Sequence, residues 1–123
     1  MKPFGWGFAS LALATMIGAF GTHSLRGRID ESALTVFQTG QQYHVTGSLA
    51  LILIGLLQVA KPNLSLVRPA FILGIGIIVF SGSLYALALT GVRVLGAVTP
   101  IGGLCMIVAY AWTAWSAFRQ PKG

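Results

Sequence analysis

Acidic side chains are almost absent from this chain. Of its 123 residues only two are Asp or Glu, and charged residues of both signs make up 8% of the sequence. The two acidic residues, Asp30 and Glu31, stand side by side outside the long apolar stretches. Because cation-coupled exchangers are built around a carboxylate inside the membrane, this distribution argues against that class of transporter.

Cysteine is just as scarce, since Cys105 is the only one. A single cysteine forms no internal disulfide and no cysteine cluster for a metal. The sequence also lacks a phosphate-binding loop, a Gly-x-Ser-x-Gly nucleophile elbow and a Ser-x-x-Lys motif. These absences predict a protein that is not an enzyme and has no cofactor.

Most of the chain consists of apolar residues. Hydrophobic residues account for 55% of the chain and the mean hydropathy is +0.82. A helix of about 20 residues crosses the hydrocarbon core, and four apolar stretches approach that length, at about 4–21, 43–60, 69–90 and 100–118. Their continuous runs favour helices over a barrel. The sequence therefore predicts an all-α, integral membrane four-helix bundle in a single transmembrane domain, 1–123.

The connections add smaller expectations. Asp30 is a good helix cap, and the mixed apolar and polar residues after it predict a short interfacial amphipathic helix between the first and second spans. Gly91 suits the end of the third span, and Thr99-Pro100 suits a cap and first turn of the fourth.

The basic residues are scattered over the connections rather than clustered, which argues against a nucleic-acid partner despite a formal charge of +6. With four spans, Lys and Arg divide five to three between the two sides of the membrane, and the side of the termini has more. The positive-inside rule then places both termini in the cytoplasm. That side carries Lys2, Lys61, Arg68, Arg119 and Lys122, and the opposite side carries Arg26, Arg28 and Arg93.

Small residues recur at helical spacing, as they do where transmembrane helices approach closely. One small-xxx-small stripe lies on the first span and one on the third, and both predict tight packing within the molecule. The stripes consist of Ser10, Ala14 and Gly18, and of Gly74, Gly82 and Ala86.

Polar residues gather at one depth, in the half of the bundle opposite the termini. Gln41, His44 and Ser48 share a helical face. Two interpretations stay open: the side chains bond to one another across the bundle, or they bind a ligand, with His23 and His44 as weak candidates for a metal or haem. The predicted cluster consists of His23, Gln41, His44, Ser81, Ser83, Tyr85 and Thr99.

Four motifs then appear in order: Gly-Ala-Phe-Gly-Thr-His-Ser-Leu at 18–25, Phe-Gln-Thr-Gly-Gln-Gln-Tyr-His at 37–44, Phe-Ser-Gly-Ser-Leu-Tyr at 80–85 and Thr-Pro-Ile-Gly-Gly at 99–103. With them the chain resembles the YgdD-like family of small membrane proteins, domain of unknown function 423. The resemblance implies a multi-pass protein of four helices in the bacterial inner membrane. It implies no activity.

Two functions from different classes fit these observations. The first is a non-enzymatic accessory or assembly component, embedded in the lipid bilayer and working as a homo-oligomer or within a larger membrane complex. The small-residue stripes and the small extramembrane mass favour it. The alternative is a small-solute or ion transporter, or a histidine-ligated haem or metal protein, which would use the polar cluster.

Overall fold

Helices make up nearly all of the computed structural model, which describes residues 3–119. Four helical segments are long and apolar enough to cross a membrane: Pro3–Leu25, Glu31–Ala60, Val67–Thr90 and Val94–Arg119. The first is α1 (Pro3–Met16), a π-helical turn (Ile17–Gly21) and α2 (Thr22–Leu25) in succession; the others are α3, α4 and α5. Within the described residues there is no β-strand. The predicted all-α membrane fold is confirmed.

The predicted interfacial helix is continuous with the second span. Asp30 caps α3 by accepting a hydrogen bond from the Ala33 amide at 2.7 Å, and the helix then runs unbroken to Ala60. Phe37 is 3% exposed, with its ring 5.2 Å from that of Tyr85 on α4. This stretch therefore packs on the bundle as an extension of the span, because its apolar side has a protein surface to cover it.

The fourth span begins earlier than the proline signal indicates. Gly91 ends α4 in the left-handed conformation expected of a C-cap glycine, with φ of 73°. Helix α5 then starts at Val94 and contains Pro100. Thr99 is not a cap, since its hydroxyl donates to the Leu95 carbonyl one turn back at 3.1 Å.

The described helices pack in a row and do not form a closed bundle. Helix α3 lies between α1 and α4, and α5 packs on the other side of α4. The buried core sits between α3, α4 and α5, and it includes Leu51, Ile54, Leu73, Ile77 and Met106. Since α1 and α5 each rely chiefly on one neighbour, both present wide faces to the bilayer. Of the residues used for the topology prediction, Lys2 and Lys122 lie outside the described residues.

Candidate functional site

His44 is the centre of the polar cluster. Its side chain is 5% exposed and projects from α3 between two other helices. Its Nδ1 lies 2.9 Å from the Tyr85 hydroxyl on α4, and its Nε2 lies 3.1 Å from the Ser10 hydroxyl on α1. Because both ring nitrogens have partners, the imidazole holds α1, α3 and α4 together.

Gln41 closes this arrangement into a ring. The Tyr85 hydroxyl donates to Gln41 Oε1 at 3.0 Å, and Gln41 Nε2 donates to the Ala14 carbonyl at 2.6 Å. The hydrogen bonds therefore leave α1 at Ser10 and return to it one turn later at Ala14. We call Ser10, Gln41, His44 and Tyr85, with the Ala14 carbonyl, the polar ring.

The small residues of α1 make room for the polar ring. A Cβ at Gly18 would lie 2.5 Å from Gln41 Nε2, so a larger residue would displace the amide. Ala14 is fully buried beside it. The first predicted stripe therefore packs within the molecule, as expected. The sequence did not show that Ser10 belongs to the polar cluster as well as to the stripe.

Ser48 contacts two members of the polar ring, Ser10 and His44. It is fully buried, donates to the His44 carbonyl at 2.6 Å and lies 2.6 Å from the Ser10 hydroxyl. Its place on the face of Gln41 and His44 follows from four-residue spacing.

Three further predicted residues form separate contacts. Ser81, 2% exposed, donates to the Gly40 carbonyl across the interface of α3 and α4 at 2.8 Å. Ser83 and Thr99 pair at 2.5 Å and join α4 to α5. Among the described residues, every buried side-chain nitrogen and oxygen has a hydrogen-bond partner.

His23 does not join the cluster, which corrects the expectation that the two imidazoles meet. Its side chain is exposed and makes no hydrogen bond within residues 3–119. The π-helical turn at Ile17–Gly21 lies between the packed part of α1 and His23. Because a π-turn bonds i to i+5, it rotates the residues after it relative to an α-helical register.

The histidines do not assemble a metal centre. No three His, Cys, Asp or Glu side chains come together as possible ligands in the part of the chain that the structure describes. Both nitrogens of His44 are engaged by hydroxyl groups, and His23 is exposed. Zinc sites ordinarily take three or four protein ligands, so these residues do not form a zinc site.

A cleft runs along the lipid-facing side between α1 and α4. It consists of two adjoining cavities of about 330 and 390 Å³, which share Trp6, Ser10, Ile77 and Ile78. The first is apolar and extends to Phe71 and Gly74. The second reaches the polar cluster at His44 and Ser81 and extends to Gly82.

The floor of this cleft contains two glycines at which a side chain would have open space. A Cβ built at Gly74 or at Gly82 would meet no atom within 4 Å. The prediction that these two glycines pack within the molecule is therefore wrong. On α4 that role belongs to Gly76, where a Cβ would lie 2.7 Å from the Met106 side chain of α5.

Two contrasting groups stand out among the glycines of the spans. Gly7, Gly47 and Gly55 resemble Gly76, because a Cβ at each would come within 3 Å of a neighbouring helix. Gly74 and Gly82 leave open space instead, as does Gly5 near the start of α1.

Comparison with known proteins identifies related sequences. Residues 17–103 match the family model described as "Protein of unknown function (DUF423)". The UPF0382 membrane protein YwdK of Bacillus subtilis is 39% identical over 114 residues, covering 92% of this chain and 93% of that protein. A UPF0382 membrane protein of Staphylococcus haemolyticus is 38% identical over 112 residues, covering 88% and 91%. No solved structure matches this chain.

Proposed function

This chain belongs to the DUF423 family, and we propose that it is a non-enzymatic membrane component that assembles through the cleft between α1 and α4. It is an integral, multi-pass membrane protein of unassigned activity. The assembly is a homo-oligomer, and association within a larger membrane complex would use the same face.

The observation that carries this proposal is the open glycine floor of the cleft. Transmembrane helices associate by close backbone approach, which small residues permit, because lipid supplies no hydrophobic drive between them. Gly74 and Gly82 lie about two helical turns apart, and a Cβ at either would meet no atom of this chain within 4 Å. Ile78, between them, is 74% exposed. A glycine in a helix interior costs about 0.5–1 kcal/mol relative to alanine, so a close-packed occupant accounts for two glycines that a lone chain would not need.

The closed polar ring supports a role without catalysis. Its side chains bond to one another and to helix carbonyls, as in a structural network. A transporter receives less support, because a solute path would need polar groups across the membrane. On the side of the termini, the bundle core is formed by Leu51, Ile54 and Leu73.

For localisation, we propose the bacterial inner membrane with both termini in the cytoplasm. Lys61, Arg68 and Arg119 lie at the helix ends on the side of the termini, against Arg26, Arg28 and Arg93 on the other side. Lys2 and Lys122 add to the first group by sequence.

Disulfide crosslinking in native membranes tests the proposed interface. In a Cys105→Ser background, a single cysteine replaces Ile78 in the cleft or Ile107 on the outer face of α5. The two positions are similarly exposed, at 74% and 64%. We expect mild oxidation to give a product of twice the chain mass for Ile78→Cys and little for Ile107→Cys. Equal crosslinking at both positions, or none at Ile78→Cys, would contradict the proposal.

A further inference from the structure

The hydrogens of the polar ring are fixed one after another, beginning at Gln41. Its Nε2 donates to the Ala14 carbonyl, which leaves Oε1 facing the Tyr85 hydroxyl. Because an amide oxygen only accepts, Tyr85 gives Gln41 the single hydrogen of its hydroxyl. His44 Nδ1 lies 2.9 Å from the same hydroxyl, so this nitrogen carries a hydrogen and donates it to Tyr85.

The other ring nitrogen of His44 faces two serines. In a neutral imidazole with its hydrogen on Nδ1, Nε2 is an acceptor, so the Ser10 hydroxyl 3.1 Å away donates to it. Ser48 then has one hydrogen for two oxygens, Ser10 Oγ and the His44 carbonyl, and each lies 2.6 Å from Ser48 Oγ. The site with a neutral imidazole is therefore one hydrogen short.

A second proton on the His44 ring removes this shortage. Nε2–H then donates to Ser10, Ser10 donates to Ser48, and Ser48 donates to the His44 carbonyl. Every pair of atoms at hydrogen-bond distance now has a hydrogen between them. Only the two serine hydroxyl groups turn, and no helix has to move. The site thus has hydrogen-bond partners for the imidazole in both of its protonation states.

No charged side chain faces this imidazole from α1, α3 or α4 in the described part of the chain. Helix α1 contains no ionisable residue. Glu31 lies in the first turn of α3, and Arg68 lies at the end of α4 remote from Tyr85. Tyr85 is the titratable group in contact with the ring, while Tyr43 packs on Phe80. With no carboxylate to retain it, the added proton can leave again.

The imidazole is buried but can be reached from the cleft. The second cavity, of about 390 Å³, is lined by both His44 and Ser10, and it has room for water molecules. The apolar stretch of α3 begins at Tyr43, so His44 lies near the membrane surface on the side opposite the termini. The cavity therefore offers a proton a route to Nε2 through the Ser10 hydroxyl.

We propose that His44 is a reversible proton-binding site, which holds its imidazole in the neutral and the charged form with the same set of neighbours. Proton uptake reverses the hydrogen bond between Nε2 and Ser10 and ties α1 to α3 through both serines at once. This site goes beyond the assembly proposed above and does not depend on it, since all of its residues belong to one chain.

Nitrogen-15 NMR of the imidazole tests the site in the full chain in lipid bilayers. In His23→Gln, which replaces an exposed side chain, His44 is the one histidine left. A ring nitrogen with a hydrogen resonates far from one without, so a neutral ring gives two separated signals. We expect these signals to converge reversibly between about pH 8 and pH 4, while circular dichroism shows unchanged helical content.

Two variants test the hydroxyl groups that accept from the charged ring. Ser10→Ala and Tyr85→Phe each remove one of them and leave the side chain nearly the same size. Hydrogen bonds to charged groups are stronger than neutral ones. We therefore expect each variant to lower the titration midpoint by about one pH unit, a tenfold loss of proton affinity.

Ser83→Ala is the matched control. It removes a buried α4 hydroxyl that bonds to the Phe80 carbonyl and to Thr99 and does not contact His44. Its titration midpoint should equal that of the parent His23→Gln protein.

An imidazole that stays neutral throughout, or gains its proton only as helical content is lost, would overturn the site. A reversible titration with the same midpoint in Ser10→Ala, Tyr85→Phe and the parent would overturn the role of the two hydroxyl groups. If Tyr85→Phe fails to fold, the parent and Ser10→Ala decide both questions.

Discussion

The two sides of α1 present opposite kinds of surface. Towards α3 it is closed: a Cβ at Gly7 would lie 2.7 Å from the Ile52 side chain, and the polar ring adds hydrogen bonds beside that contact. Towards α4 it leaves a cleft with open glycines and exposed Ile78. Both surfaces use small residues at helical spacing, so spacing alone does not distinguish packing within a chain from packing between chains. What distinguishes them is whether a neighbouring helix already fills the space.

The largest expected effect comes from filling a closed glycine. In Gly55→Leu the new side chain would start 2.8 Å from the Phe4 Cα, so α1 and α3 would have to separate. We expect a loss of unfolding free energy of at least about 3 kcal/mol, measured by denaturant titration in micelles. In Gly74→Leu, the matched change in the cleft, unfolding should shift by less than about 1 kcal/mol. Equal destabilisation of the two variants would erase the distinction between the two surfaces.

Removing the imidazole at the centre of the ring should have the next largest effect. His44→Ala leaves the Tyr85 and Ser10 hydroxyl groups without a partner at the meeting point of three helices. The expected loss is about 2–3 kcal/mol of unfolding free energy. His23→Ala removes an exposed imidazole and should change stability by less than about 0.5 kcal/mol. Similar losses for the two histidines would show that the ring does not stabilise the closed side of α1.

Gln41 gives a smaller and more local test of the same side. Gln41→Leu removes the bonds to Tyr85 and to the Ala14 carbonyl, and we expect about 1 kcal/mol of destabilisation. The neighbouring Gln42 is exposed, so Gln42→Leu should be neutral. Hydrogen exchange of the α1 amides locates the effect. Faster exchange around residues 10–21 in Gln41→Leu alone is the predicted pattern, and uniform exchange in both variants would contradict it.

The sequence predicted the spans because hydropathy over about 20 residues outweighs every local signal. Local signals for helix starts and ends were less informative. Pro100 suited a helix start, yet the apolar residues from Val94 onwards extend α5 past it. The residues after Asp30 suited a separate interfacial helix, yet burial of Phe37 joins them to the span.

Part of the polar cluster could be predicted, because the spans determine the depth of each residue in the membrane. Residues on α3 and α4 meet as their depths require, and Gln41, His44 and Tyr85 form hydrogen bonds. His23 lies away from them because the π-helical turn before it changes the direction of its side chain. Nothing in the sequence marks that turn, so the prediction did not include it. Gly74 and Gly76 look alike in sequence, but residues two positions apart lie on different faces of a helix. Only the packed helices show which of them remains open.

The decisive measurement is the dissociation of Gly82→Leu dimers in lipid bilayers. The substitution fills open space on α4 and leaves the polar ring and the buried glycine contacts untouched. We expect the variant to keep the helical content and unfolding free energy of the unmodified protein while its dimer weakens at least about tenfold. A folded Gly82→Leu protein that dimerises as tightly as the unmodified chain would contradict it.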